Sequence, residues 1–156
     1  MASTIKPSTF QVKIKEDHVI NGIRTVNENL YRIPNVTNYD RRIVTCPNTT
    51  SVDLINTNGL TPGPALFPSY SIAYGRITNM DDSASLAVSF TSSGVTPSYW
   101  TMDVLPTSSL MFSGVGVSGS DFIGSFSQDI EFISVYAISS SIDVEYVLVN
   151  APIATN

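Results

Sequence analysis

The chain has 156 residues, of which 42% are hydrophobic and only 13% charged, with a formal net charge of −5. The length fits a single domain able to bury a core without disulfides, and the charged share is about half the roughly 25% of an average soluble domain. One cysteine, Cys46, excludes an intramolecular disulfide and a thiolate zinc site, and the lack of an apolar run of about 18 residues argues against a membrane-spanning helix.

A surface kept soluble by Ser, Thr and Asn suits a secreted β-protein or a subunit whose faces are covered by neighbours, and the second reading is favoured because free monomers keep more charge. The segment Met1 to Thr9, small and polar with Pro7, reads as an arm that orders on a partner. It lacks the apolar stretch of a signal peptide, so synthesis in a cytoplasm is expected. Phe10, Val12 and Ile14 alternate with polar residues as a strand does. Asn21-Gly22, between Val19-Ile20 and Ile23-Arg24-Thr25-Val26, predicts a hairpin with a type I′ turn, which needs positive φ at both central residues.

Leu30 to Ile33 reads as a short strand closed by Pro34, and 35–42 as a turn-rich stretch with room for one helical turn. Arg41 to Cys46 is a strand stopped by Pro47, and Ser51 to Asn56 is another. The Pro- and Gly-rich stretch from Thr57 to Ser69 cannot be a central strand. A loop of that length is more often functional or interface-forming, and its Leu60, Leu66 and Phe67 are expected to pack on the body or on a neighbour.

Tyr70 to Phe90 is the stretch around which the chain looks organised. Tyr70, Ile72 and Tyr74 alternate with small residues, as do Leu86, Val88 and Phe90, and Asn79 to Ser83 lies between them, so a hairpin is predicted. Gly75 interrupts the first run and predicts a bulge that moves the inward set to Ile77. In the strand from Ser98 to Leu105 the inward set is Trp100, Met102 and Val104. Ser109 to Phe112 is a short strand, and Ser113 to Ser120 a glycine-rich loop. The chain closes on Ile130 to Ile138 and Ile142 to Val149, the latter with Ile142, Val144, Tyr146 and Leu148 on its buried side. Nine or ten strands with turn signals every eight to twelve residues predict an all-β antiparallel sandwich, jelly-roll-like, with an extended N-terminal arm. The implied division is an arm over 1–9, the sandwich over 10–150 and a tail over 151–156.

The chemistry of catalysis is hard to find in these residues. His18 is the sole histidine, flanked by Asp17 and without a nucleophile elbow elsewhere, so a surface role is the better reading. Asp81-Asp82 suit backbone capping better than acid–base work, with calcium as a lesser alternative. Gly114, Gly116 and Gly119 match a dinucleotide fingerprint by letter but precede no helix. No catalytic residue, cofactor or metal is therefore expected. Tyr99 and Trp100 beside Pro97 could stack on a sugar, which makes glycan binding the alternative to a scaffold role.

Charge is distributed unevenly. Up to Arg42 there are seven basic and four acidic residues, and beyond it one and nine. Such polarity favours the N-terminal segment of one copy lying on the body of another, with Lys6, Lys13, Lys15, Arg41 and Arg42 as contact candidates. Pairing of these charges within one domain is the equally weighted alternative. The basic residues are too few and too interleaved with acids for nucleic-acid binding.

Four segments, Val12-Lys13-Ile14-Lys15-Glu16-Asp17 with Asn21-Gly22, Asp40 to Pro47, Arg76 to Asp82, and Ile142 to Tyr146, resemble small β-rich structural proteins of tailed-phage virions. The resemblance spans most of Phe10 to Val149. It implies a non-enzymatic virion component, synthesised in the bacterial host cytoplasm and present in many copies. Such a component decorates the capsid or forms part of the tail or neck, and its partners are the major capsid protein and further copies of itself, with no nucleic acid or membrane.

Overall fold

The computed structural model describes residues 8–36, 38–56, 65–66, 72–92, 99–112 and 130–151. Within them the chain is all-β, with eleven strands and no helix. The strands are β1 (Ser8–Ile20), β2 (Ile23–Val36), β3 (Asn38–Cys46), β4 (Val52–Asn56), β5 (Ala65–Leu66), β6 (Ile72–Asn79), β7 (Leu86–Ser92), β8 (Tyr99–Val104), β9 (Ser109–Phe112), β10 (Ile130–Ala137) and β11 (Ile142–Asn150).

They form three sheets. A four-stranded sheet runs β3-β11-β6-β9, a five-stranded one runs β5-β4-β10-β7-β8, and β1 and β2 make a two-stranded ribbon of their own. Every pairing is antiparallel except that of the two-residue β5, which lies parallel to β4 at a sheet edge. That edge position suits a segment rich in proline, which lacks the donor a central strand needs. From β3 onward the pairings nest: β3 with β11, β4 with β10, β6 with β9, and β7 with β8. The chain thus folds back on itself like one long hairpin, rolled so that successive pairs fall on alternate sheets.

The main core lies between the two larger sheets. Leu54, Ile55, Val88, Ile133 and Val135 come from one side and Ile77, Ile142, Val144 and Leu148 from the other, all essentially without solvent exposure. Burial of a side chain of this size is worth about 1.5–3 kcal/mol, so this layer supplies most of the driving force for folding. Cys46 belongs to it, fully buried with its thiol 3.5 Å from the Val135 carbonyl and its pKa pushed up by burial, which fits the role of a small hydrophobe. On β11 the inward set is Ile142, Val144, Tyr146 and Leu148, as the alternation predicts.

Five expectations need correction. Leu30 to Ile33 is no separate short strand closed by Pro34, since β2 runs from Ile23 through Pro34 to Val36. The run from Tyr70 to Phe90 is not a hairpin, because β6 and β7 lie in different sheets and the Asn79 to Ser83 cluster is a corner between them. Asn79, fully buried, holds that corner: its amide donates to the Ala84 carbonyl at 2.8 Å and the Val104 carbonyl at 3.2 Å, while its carbonyl accepts from the Asp81 N–H at 3.0 Å. The bulge lies at Ala73, two residues before Gly75, where the register with β11 shifts between Val149–Tyr74 and Asn150–Ile72. Ile72 therefore faces the main core and Tyr74 the opposite side. The stretch 35–42 holds no helical turn among its described residues, since β2 ends at Val36 and β3 starts at Asn38, with Asn35 at φ 58° bending the chain.

The last correction concerns the N-terminal strands. They do not join the sandwich sheets; β1 and β2 pair, among the described residues, only with each other. Asn21 and Gly22 have φ 52° and 78°, the two positive values that the Asn-Gly turn predicts.

Candidate functional site

Antiparallel register fixes which residues share a face of the ribbon. Phe10 opposes Ile33, Val12 opposes Tyr31, Ile14 opposes Asn29, Glu16 opposes Asn27, His18 opposes Thr25 and Ile20 opposes Ile23, so these pairs line one face, on which Glu16 is the one carboxylate. The other face alternates with it and holds Lys13 opposite Leu30, Lys15 opposite Glu28, Asp17 opposite Val26 and Val19 opposite Arg24. One side is thus largely uncharged and the other carries nearly all the charge.

At its base the uncharged face packs on the body. Ile33 and Val36 are buried there with Tyr74, Val147, Val149 and Ala151, and Phe10 and Val12 lean on the same cluster. The Phe10 ring lies 5.8 Å from both Tyr39 and Tyr74. This contact explains why Val147 and Val149, on the side of β11 that alternation assigns to water, are buried. Beyond the base, every residue from Lys13 to Arg32 is exposed. Ile20 is 62% and Ile23 71% exposed at the tip, with Val19, Val26, Leu30 and Tyr31 also at least half exposed.

Between the ribbon's base and the four-stranded sheet lies an open cleft of about 330 Å³, lined by Phe10, Val12, Tyr39, Arg41, Tyr74 and Arg76, among others. Its polar end is an ion-pair triad. Glu145, mostly buried, receives Arg41 Nε at 2.6 Å on one oxygen and the Arg76 guanidinium on the other. The carboxylate raises the pKa of Arg41, chiefly through the hydrogen bond. Two cations on one anion leave the cleft wall net positive, but the donors facing Glu145 are engaged in holding β3, β11 and β6 together.

The charged residues expected at an interface are paired within the chain. Lys13 meets Glu28 at 2.8 Å, Lys15 approaches Asp17 at 4.0 Å, Arg42 meets Asp40 at 3.0 Å, and Arg41 belongs to the triad. Asp17 is held most closely by Arg24 across the ribbon, at 2.9 Å, which lowers the Asp17 pKa. Exposed pairs of this kind contribute about 0–1 kcal/mol each and exchange partners readily. Lys6, Leu60 and Phe67 lie outside the described residues, and Leu66 falls on the edge strand β5.

The residues weighed for chemistry are dispersed. His18 sits exposed on the ribbon opposite Thr25, and Asp81 is at the β6–β7 corner, where one carboxylate oxygen accepts from Ser83 N, Ser83 Oγ and Ala84 N at 2.8, 2.9 and 2.7 Å. These bonds, led by the one from Ala84, lower the Asp81 pKa, as expected of a turn cap. Among the described residues no group of three or more His, Cys, Asp or Glu side chains is placed to hold a metal ion. Tyr99 is 77% and Trp100 47% exposed on the edge strand β8, with the Trp100 ring turned inward to lie 5.4 Å from Phe90.

Sequence reasoning missed the ribbon's autonomy. The signal was present in the register that Asn21-Gly22 imposes, since pairing outward from that turn separates the charged from the uncharged side chains. No known protein family, curated protein or solved structure matches the chain.

Proposed function

We infer that the chain is a non-enzymatic structural subunit that works by joining subunits, and that it serves as a capsid decoration protein of a phage virion. The observation that carries the joining role is the ribbon: twenty successive residues, Lys13 to Arg32, project from the sandwich with both faces exposed. An isolated two-stranded hairpin is marginally stable in water, and exposed apolar side chains along one add the cost of their hydration. A third layer supplied by another subunit removes both problems.

The sandwich supports the virion assignment in a second way. The nested pairings β3·β11, β4·β10, β6·β9 and β7·β8 support reading the sandwich as a jelly roll, an architecture used by capsid proteins and also by lectins and cupins. Fold alone does not set function, so the assignment also rests on the likeness of Asp40 to Pro47 and the other three segments to virion proteins. Density-gradient sedimentation of particles carrying tagged chain tests it. A fixed stoichiometry to the major capsid protein is expected, and a tag confined to the soluble fraction overturns the reading.

A second reading, glycan binding, is favoured by the exposed Tyr99 and Trp100 on the edge strand. Binding on a glycan array that disappears in Tyr99→Ala and Trp100→Ala would select it over the scaffold role.

A further inference from the structure

We propose that the ribbon's outer half docks on the body of a second copy of this chain, against the uncovered part of the four-stranded sheet's outer face. The inference rests on the subunit-joining role and names the occupant of the ribbon.

Charge separates the donor from the receiver. The ribbon, residues 8–36, holds four basic and three acidic residues, a net +1, whereas the described residues from 38 onward hold three basic and eight acidic, a net −5. Two bodies pressed together repel, and two ribbons gain nothing electrostatically. A ribbon against a body is the one pairing of parts with net charges of opposite sign. The receiving face itself is balanced, with Arg41 and Arg76 against Asp143 and Glu145, so charge permits the contact and the choice of face rests on area and apolar match.

Area points the same way. From Lys13 to Ile20 the ribbon spans about 26 Å at ~3.3 Å per residue and is ~10 Å wide, so one face offers about 260 Å². Two ribbons face to face bury about 520 Å² in total, below the ~1,000 Å² expected of a specific interface. Exchange, in which each copy gives one ribbon and receives one, doubles the contact to about 1,000 Å² and closes on itself under two-fold symmetry.

The receiving surface continues the one on which the ribbon's own base sits. Ile43 shares the outer face with Glu145, its register partner on β11, and Met111 shares it with Arg76, its partner on β6. Ile43 is 59% and Met111 47% exposed. The outer face of the five-stranded sheet carries Asp53, Ser89, Thr101 and Asp103 beside the exposed Tyr99 and Tyr136, and the buried cluster at the ribbon's own base includes none of its residues.

Cysteine pairing in the full-length protein tests this, since Cys46 is fully buried and leaves the surface free of native thiols among the described residues. Ile23→Cys and Ile43→Cys chains are mixed, oxidised under mild conditions and resolved without reductant, and sedimentation velocity is run on the unmodified chain. The expected result is a mixed Ile23–Ile43 disulfide dimer, with a sedimenting species above monomer mass that Ile20→Asp/Ile23→Asp weakens at least tenfold. An Ile23→Cys dimer formed without the second variant points to ribbon-on-ribbon packing and overturns the proposal. An oligomer unaffected by the Asp pair also overturns it while leaving the subunit-joining role intact. A chain that stays monomeric alone but joins particles through its ribbon overturns the second copy as occupant and keeps the structural role.

Discussion

Replacing Gly75 with alanine tests the packing between β6 and β9. A Cβ built at Gly75 would lie 2.2 Å from both Cε2 and Cζ of Phe112, where ordinary contact begins near 3.4 Å. The ring must therefore retreat by more than 1 Å, and it is wedged edge-on against Phe90, with centroids 5.6 Å apart at 89°. Overpacking a core costs about 1–3 kcal/mol, and disturbing the aromatic pair adds ~0.5–1.5 kcal/mol. Against this, alanine lowers the entropy of the unfolded chain and returns about 0.4–1 kcal/mol. The net expectation is a loss of about 1–3 kcal/mol, or a Tm lower by about 3–10 °C for a domain of this size. Thermal and urea unfolding followed by circular dichroism measure it. In a Phe112→Leu background the same substitution should cost at least ~1 kcal/mol less, because the clashing ring atoms are gone. A Gly75→Ala cost that is unchanged in that background, or a stabilised single variant, refutes the reasoning.

The remaining predictions concern the corner, the strained turn, the triad and the core tyrosine. Asn79→Ala strips buried carbonyls of their donor and should cost about 2–4 kcal/mol in urea unfolding, among the largest losses of any single polar substitution here. Thr107, a β-branched residue at φ 57°, is strained in the turn between β8 and β9, so Thr107→Gly should gain up to ~1 kcal/mol by the same assay. Glu145→Gln leaves Arg41 and Arg76 facing each other without their anion and should lose about 1–3 kcal/mol. The Tyr146 phenol is raised to about 12, first by burial and then by the nearby Asp40, with Arg42 opposing. Its unfolded value is near 10, so the folded state holds the proton more tightly. Stability from this group is therefore complete below about pH 10 and lost as pH rises toward 12. Unfolding midpoints across that window should fall less steeply in Tyr146→Phe.

Much of the sandwich is legible in the sequence because alternation reports directly on burial. The inward set of β11, the Asn21-Gly22 turn and the burial of Cys46 all follow from local pattern, whereas of the inward set expected on β8 only Val104 is buried and Trp100 stays 47% exposed. Pairing between sheets is not legible that way. An Asn/Asp cluster between two alternating runs reads the same whether the strands hydrogen-bond to each other or separate into facing sheets, and at Asn79 they separate. The difference lies in the asparagine's long-range bonds to Val104 and Leu105, which no local window contains. Gly75 misplaced the backbone irregularity: the glycine makes room for Phe112, and the bulge itself falls between Tyr74 and Ile72. The charge asymmetry between the two ends of the chain is real, yet Lys13, Lys15, Arg41 and Arg42 find partners inside the same chain. Separating ribbon from body, not basic from acidic halves, required the register of β1 against β2.

Amide hydrogen exchange across Lys13 to Arg32, measured over a hundredfold range of protein concentration, reaches the central claim most directly. A ribbon that lacks a third layer opens easily when the chain is alone and is shielded when another subunit covers it, so protection should rise steeply with concentration while the β10 and β11 amides stay constant. Protection in the ribbon that is already as high as in the core at the lowest concentration, or that stays low at the highest with assembled particles present, contradicts it.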